Sequence, residues 1–209
     1  MGLSFSSISQ DKPKLVVGIV VDQMRQDYLL RFSDKFGEGG FNRLLGEGFQ
    51  FKNAHYNYTP TYTAPGHASI YTGTTPAYHG IIGNNWYDKI KDRNTYCVSD
   101  ASVKAIGGSE QNGKMSPRNL KSSTITDELL LTSNFRSKVV GVSIKDRGSI
   151  LPAGHNPTGA YWFDSKTGNF MTSDYYAEEL PTWAEEFNQQ KKVSQYLKHF
   201  CSHKKFSQP

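Results

Sequence analysis

Apolar residues run without a break through "LVVGIVVD", Leu15 to Asp22, and the run stops on an acid. A continuous β-rich run of that length predicts a central parallel strand buried on both faces. Helical spacing follows over Gln26 to Phe32 and again over Gly40 to Gly46, where "GEG" punctuates the pattern. "FQFKNAHYN" alternates as a second strand does. In "TYTAPGHASIYTG", residues 61–73, Pro65 suits a first helical turn and Gly73 a helix exit. "NNWYDKIKDRN" predicts turn and hairpin, and "TITDELLL" (Thr124 to Leu131) a helix with a Thr or Asp start signal. "KVVGVSI", Lys138 to Ile144, predicts another buried strand, which runs into Lys145, Asp146 and Arg147. "YWFDSKTGNFMTS" predicts a hairpin turning at Lys166-Thr167-Gly168, and a last amphipathic stretch spans Leu180 to Phe187. Strands and helices in this alternation predict an α/β fold, an open and mostly parallel sheet flanked by helices. Ligands of such sheets gather at the carboxyl ends of the strands. Asp22 and the Lys145/Arg147 pair stand at two of those ends.

Composition narrows the class. A chain of 209 residues, 36% hydrophobic and 13% aromatic, is long enough for one sizeable core. It contains no apolar run of the length a membrane span requires. The net charge of +5 is local: Lys191, Lys192, Lys198, Lys204 and Lys205 lie in a tail without acids, and positions 1–190 hold 19 basic and 19 acidic residues. The body is neutral, which argues against a nucleic-acid partner. Cys97 and Cys201 form neither a CxxC pair nor a disulfide framework. Residues 1–13 read as a short N-terminal segment, a possible remnant of a signal peptide.

Four features carry candidate chemistry, and each has a plainer reading beside it. Thr63 at a helix start is an ordinary N-cap or, in the field of the free N–H groups there, a hydroxyl made easier to ionise. Asp22 at a strand end is a cap, a salt-bridge partner or a hard oxygen ligand for a metal such as zinc. Lys145 and Arg147 are a solvated turn or a pair of donors to a phosphoryl group. Asn84 is a turn residue or a further donor.

Three segments then act together. "GIVVDQMRQDYL", "NYTPTYTAPGHASIYTGTTPAYHGIIGNNWYD" and "SIKDRGSILPAGH" resemble the alkaline phosphatase superfamily. Within it they are most similar to bacterial zinc-dependent phosphomonoesterases with a threonine nucleophile, in the type I phosphodiesterase/nucleotide pyrophosphatase group. The likeness extends from Leu15 to about Asn188. It implies that Asp22 and Thr63 bind zinc, that Thr63 attacks phosphorus to give a phosphothreonine intermediate, and that Asn84, Lys145 and Arg147 contact the phosphoryl oxygens. It also implies small phosphate monoester substrates and a periplasmic or secreted location. Sulfatases of the same superfamily need a modifiable Cys or Ser where this chain has Thr63, which sets them aside.

The resemblance also marks what this sequence lacks. The family's two-zinc site draws further ligands from an Asp-x-x-x-His segment, an Asp-His dipeptide and a late histidine. None of His55, His67, His79, His155, His199 and His203 follows an Asp directly or lies four residues after one. The expectation is therefore a truncated domain, residues 14–190, holding the N-terminal part of the phosphatase fold, with residues 191–209 a basic tail of uncertain origin. Such a chain would be inactive alone. A phosphodiesterase or nucleotide pyrophosphatase, and a non-catalytic phosphate-binding remnant, are the alternatives.

Overall fold

The computed structural model describes residues 13–203, with side chains through Leu197, and divides into two units between Lys52 and Asn53. The segment 1–13 and the end of the basic tail thus lie almost wholly outside the described residues.

The first unit consists of short helical pieces: α1 (Tyr28–Arg31), a 3-10 turn (Ser33–Lys35) and α2 (Phe41–Glu47). Asn42 ties the start of α2 back to the chain by donating to the carbonyls of Phe36 and Gly37, at 3.1 and 2.9 Å. Both helices fall where the periodicity puts them. The strand expected at Leu15 to Asp22 does not form. Those residues pair with no other strand among the described residues, and Leu15 is 78% exposed. An all-apolar run states a requirement for cover on both faces. Three short helical pieces supply no ladder to it. The strand expected in residues 49–57 is absent as well, and Phe49 and Phe51 are exposed. Alternation chooses the face a strand would bury, but only a neighbouring ladder satisfies its backbone.

The second unit begins with α3 (Thr63–Thr72) and α4 (Pro76–His79), followed by the antiparallel hairpin β1 (Asn85–Asp88) and β2 (Arg93–Tyr96). After β3 (Ala105–Ile106) and α5 (Glu110–Gly113) comes α6 (Ile125–Thr132). Thr124 starts α6 through a full capping box with Asp127, as the sequence signal predicts. The chain continues through β4 (Val140–Ser143), α7 (Asp146–Ala153), β5 (Gly159–Asp164), β6 (Asn169–Ser173), α8 (Thr182–Gln189) and α9 (Lys192–His203). Part of the basic tail is therefore helical.

The main sheet has the order β3-β6-β5-β4. It is mixed: β4 and β5 run parallel across the crossover helix α7, whereas β5–β6 and β3–β6 are antiparallel. The β5–β6 turn contains Gly168 at φ 75°, a left-handed position that glycine takes without a Cβ penalty. Helix α7 lies close on β4, since a Cβ added to Gly141 would come within 2.6 Å of the Ser149 carbonyl oxygen. The strand expected to be buried on both faces is here an edge strand. Val140 and Val142 are 56% and 53% exposed, because α7 covers only the other face. The core lies between the sheet and helices α3 and α7, around Ile81, Val98, Ile150, Leu151, Trp162 and Met171, all fully or almost fully buried.

Candidate active site

Helix α3 opens at Thr63 with Tyr62 in the N-cap position, and no side chain within the helix caps it. The missing acceptor comes from elsewhere. Asn84 Oδ1 accepts the Ala64 N–H at 2.8 Å, answering one of the donors that a helix start leaves over. Pro65, third in the helix, has no N–H to satisfy, and Gly73 closes the helix at φ 66°. Ala64, Gly66 and Ala68 are buried and small, which lets α3 pack tightly against α7. Thr63 itself is half-buried, the first residue of the helix rather than its cap.

His67, one turn after Thr63, joins the first turns of the two helices. Its Nδ1 donates to the Thr63 carbonyl at 2.8 Å. Its Nε2 lies 3.9 Å from where a Cβ on Gly148 would stand, in the first turn of α7. A Cβ there would come within 2.5 Å of Ser143 Oγ, so glycine is what lets the first turn of α7 lie this close to the end of β4.

Helix α7 starts three residues beyond the end of β4, with Lys145 in the N-cap position and extended. The Lys145 side chain is exposed. Arg147 is held from the side. Its Nη1 donates to the Tyr96 hydroxyl at 2.9 Å, and that hydroxyl donates to Asp146 Oδ1 at 2.5 Å. Asp146 Oδ1 also accepts the Arg147 N–H at 2.7 Å. The Arg147 Nε is buried and has no hydrogen-bond partner, a leftover donor on a cationic group. Burial works against that charge, but the bond to Tyr96 and the nearby carboxylate of Asp146 keep the guanidinium firmly protonated. Burial and the Asp146 charge raise the Tyr96 hydroxyl far above its ordinary value, so it stays a neutral donor. Burial, with Asp146 second, also pushes the neighbouring Cys97 thiol up to about 12. Cys97 is therefore a core residue rather than a nucleophile.

The hairpin β1–β2 links these two arrangements. Asn84 immediately precedes β1, Asn85 is paired with Tyr96, and the Asn84 carbonyl accepts the Cys97 N–H at 3.0 Å. The open end of the hairpin thus holds the α3 start through Asn84 on one strand and Arg147 through Tyr96 on the other. Thr63, Asn84 and Arg147 belong to one connected framework, with Lys145 on the same turn as Arg147. Asp22 belongs to the first unit, in an exposed turn where its Oδ1 accepts the Gln23 N–H at 3.0 Å.

Tyr96 and His67 are not among the candidate site residues read from the sequence. His67 has a legible signal, since it lies four residues after Thr63 on the same helix face. Tyr96 has none, because its role depends on the register with Asn85.

No group of three or more His, Cys, Asp or Glu side chains that could hold a metal ion occurs among the described residues. The histidines are otherwise engaged. His79 is fully buried, with Nδ1 accepting the Ile81 N–H and Nε2 facing Ser69 Oγ. His155 faces the Asp127 carboxylate and the Leu120 carbonyl with its two ring nitrogens. The residues described do not fit a two-zinc site.

A family model for type I phosphodiesterase / nucleotide pyrophosphatase matches residues 16–205. That match runs past Asn188 into the basic tail. The chain is 60% identical to alkaline phosphatase PafA of Elizabethkingia meningoseptica, over 85% of its own length and 33% of the relative's. It is 57% identical to alkaline phosphatase PhoV of Synechococcus elongatus, over 89% of its length and 34% of the relative's. A crystal structure of wild-type PafA superposes with a TM-score of 0.87 at 57% identity, covering 90% of this chain and 36% of that one. A structure of PafA substituted at one threonine, one asparagine, one lysine and one arginine superposes with a TM-score of 0.83 at 55% identity, covering 85% and 35%. The chain thus spans about a third of the length of these relatives.

Proposed function

Because this chain belongs to the type I phosphodiesterase / nucleotide pyrophosphatase family, we propose that it is the N-terminal part of an alkaline phosphatase that hydrolyses phosphate monoesters with Thr63 as nucleophile. The observation that carries the reading is the hydrogen bond from Ala64 to Asn84 Oδ1. It sets an amide donor beside the helix start that bears the Thr63 hydroxyl.

Thr63 Oγ1 attacks phosphorus in line and the alcohol leaves with the bridging oxygen. The phosphothreonine is then cleaved by water. Arg147 and Lys145 offset the charge of the non-bridging oxygens, and Asn84 donates through its Nδ2. Such donors act chiefly in the transition state, where charge shifts on those oxygens. The four residue types substituted in the PafA variant, threonine, asparagine, lysine and arginine, occur here in the same order as Thr63, Asn84, Lys145 and Arg147. The first two are 21 residues apart and the last two are two apart in both chains. This supports the assignment.

When bound, zinc would supply charge to ionise the nucleophile. Asp22 and Thr63 are the candidate ligands in this chain, fewer than the three or four protein ligands of a typical zinc site, so no step is derived through the metal. A periplasmic or secreted location belongs to the same reading. None of the described helices is long and apolar enough to cross a membrane.

The family description also favours a phosphodiesterase, and the two cations separate the readings because a monoester carries more charge. The test is a chimera in which residues 16–190 replace the matching third of PafA from Elizabethkingia meningoseptica. Turnover of an aryl phosphate well above that of the corresponding diester is expected, lost in Thr63→Ala, with no turnover by the 209-residue chain alone. A chimera that prefers the diester would refute the monoesterase assignment.

A further inference from the structure

Strand β2 has a second face. Successive side chains of a strand point to opposite sides, so Thr95 turns away from the network around Tyr96. Thr95 helps line a cavity of about 200 Å³. Lys91, Arg93 and Arg118 also line it, and no carboxylate does. Lys91 and Arg118 are steadied from outside the lining, by Asp88 at 3.1 Å and by Asp100 at 3.2 Å. The Arg93 side chain has no hydrogen bond or ion pair among the described residues, although its backbone is paired with Asp88 in the β1–β2 ladder. At the wall, Thr95 is 7% exposed and its Oγ1 is buried with no hydrogen-bond partner. Asn119 fixes this wall by donating from Nδ2 to the Tyr96 and Cys97 carbonyls, at 3.3 and 3.2 Å.

A buried hydroxyl left without a partner is uncommon in a folded protein and calls for an explanation. Asp88 and Asp100 balance and orient Lys91 and Arg118, which leaves Arg93 as the lining cation without a carboxylate, a charge that an anion in the hollow would offset. We propose that this cavity is a second anion site, separate from the Thr63 site, which takes a phosphate-class oxyanion. A tetrahedral oxyanion presents acceptors in several directions at once. Arg93 and Arg118 meet it with forked donors, Lys91 with a point charge, and Thr95 Oγ1 with a single hydrogen bond. The volume is that of roughly six or seven waters, room for one phosphoryl group with part of its hydration or with a small substituent. The ligand is either free inorganic phosphate or the phosphoryl end of a small phosphorylated compound. Because Thr95 and Tyr96 are adjacent on β2, the two sites share a strand.

The proposal does not rest on the phosphatase reading, and the test keeps the two apart. The 209-residue chain carrying Lys145→Ala and Arg147→Ala, which disables the Thr63 site, is titrated calorimetrically with inorganic phosphate in the presence of a chelator. Phenyl phosphate forms a second arm and acetate a control, and circular dichroism verifies the fold of each variant. Saturable binding of one equivalent of phosphate is expected, with acetate unable to compete. Adding Arg93→Ala, at an exposed position, weakens it about tenfold or more, as loss of a charge-assisted hydrogen bond does. Thr95→Val, nearly isosteric, weakens it several-fold. Phenyl phosphate binding as tightly as phosphate identifies the phosphoryl group of a larger compound as the ligand, and weaker binding identifies free phosphate. Phosphate affinity unchanged by Arg93→Ala, or no binding once Lys145 and Arg147 are removed, overturns the proposal.

Discussion

Asn84 Oδ1 accepts the backbone N–H of Ala64 at 2.8 Å across 20 residues of chain. An N–H can only donate, so the atom facing it is the amide oxygen, and the Nδ2 donors are left for another acceptor. One side chain thus caps the helix of the proposed nucleophile and offers a donor beside it.

These two jobs can be separated. Asn84→Asp keeps an oxygen for Ala64 but replaces the donor with a negative charge. Asn84→Ala removes both, and loss of the cap costs about 1 kcal/mol. The 209-residue chain should therefore melt at a similar temperature with Asp and lower with Ala. In the chimera, monoester turnover should fall about 10²–10³-fold with Ala, as for one lost transition-state donor, and further with Asp. Equal stability for the Asp and Ala variants would contradict the cap.

Tyr96 holds Arg147 sideways, and Tyr96→Phe removes both hydrogen bonds of its hydroxyl. Turnover in the chimera should drop about fivefold to tenfold, the effect of roughly 1 kcal/mol. The same substitution should have almost no effect when Arg147 is already alanine, since it acts through that guanidinium. An undiminished loss in the Arg147→Ala background would show that Tyr96 acts otherwise.

The His155–Asp127 contact makes stability depend on pH. His155 offers its two nitrogens to two acceptors, Asp127 and the Leu120 carbonyl, and the bond to Asp127 raises its pKa above 6.5 although burial opposes this. Burial pushes Asp127 up, but hydrogen bonds from His155 and Thr124 prevail and hold it well below the usual carboxylate range. A raised histidine stabilises the fold fully below its unfolded value of about 6.5 and loses that contribution as pH rises through its folded value. Asp127 stabilises above its unfolded value and loses its share as pH falls through its folded one. The melting temperature of the chain should therefore exceed that of His155→Gln by most near pH 5.5 and by less near pH 9. A gap that does not change across that range would show that His155 is neutral.

How much of this could be read from the sequence depends on the range of the forces involved. The α6 capping box, the Gly168 turn, the exit at Gly73 and the β1–β2 hairpin are set by neighbouring residues, and each lies where the local pattern puts it. Leu15 to Asp22 and Val140 to Ser143 are different. Their apolar character states a need for cover, and whether cover is present depends on segments far away in the chain. The site divides in the same way. Thr63, Asn84, Lys145 and Arg147 stand out as residue types at helix starts and turns. The links between them, Asn84 to Ala64 and Tyr96 to Arg147, come from hairpin register, which no local pattern records.

The central claim is that Thr63 carries the phosphoryl group between substrate and water. The most direct measurement incubates the chimera with a labelled aryl phosphate, quenches it in acid during turnover and maps the label by peptide mass spectrometry. The account predicts label on the peptide that contains Thr63, at Thr63, and none there in Thr63→Ala. Label on another residue, or turnover that survives in Thr63→Ala, would contradict it.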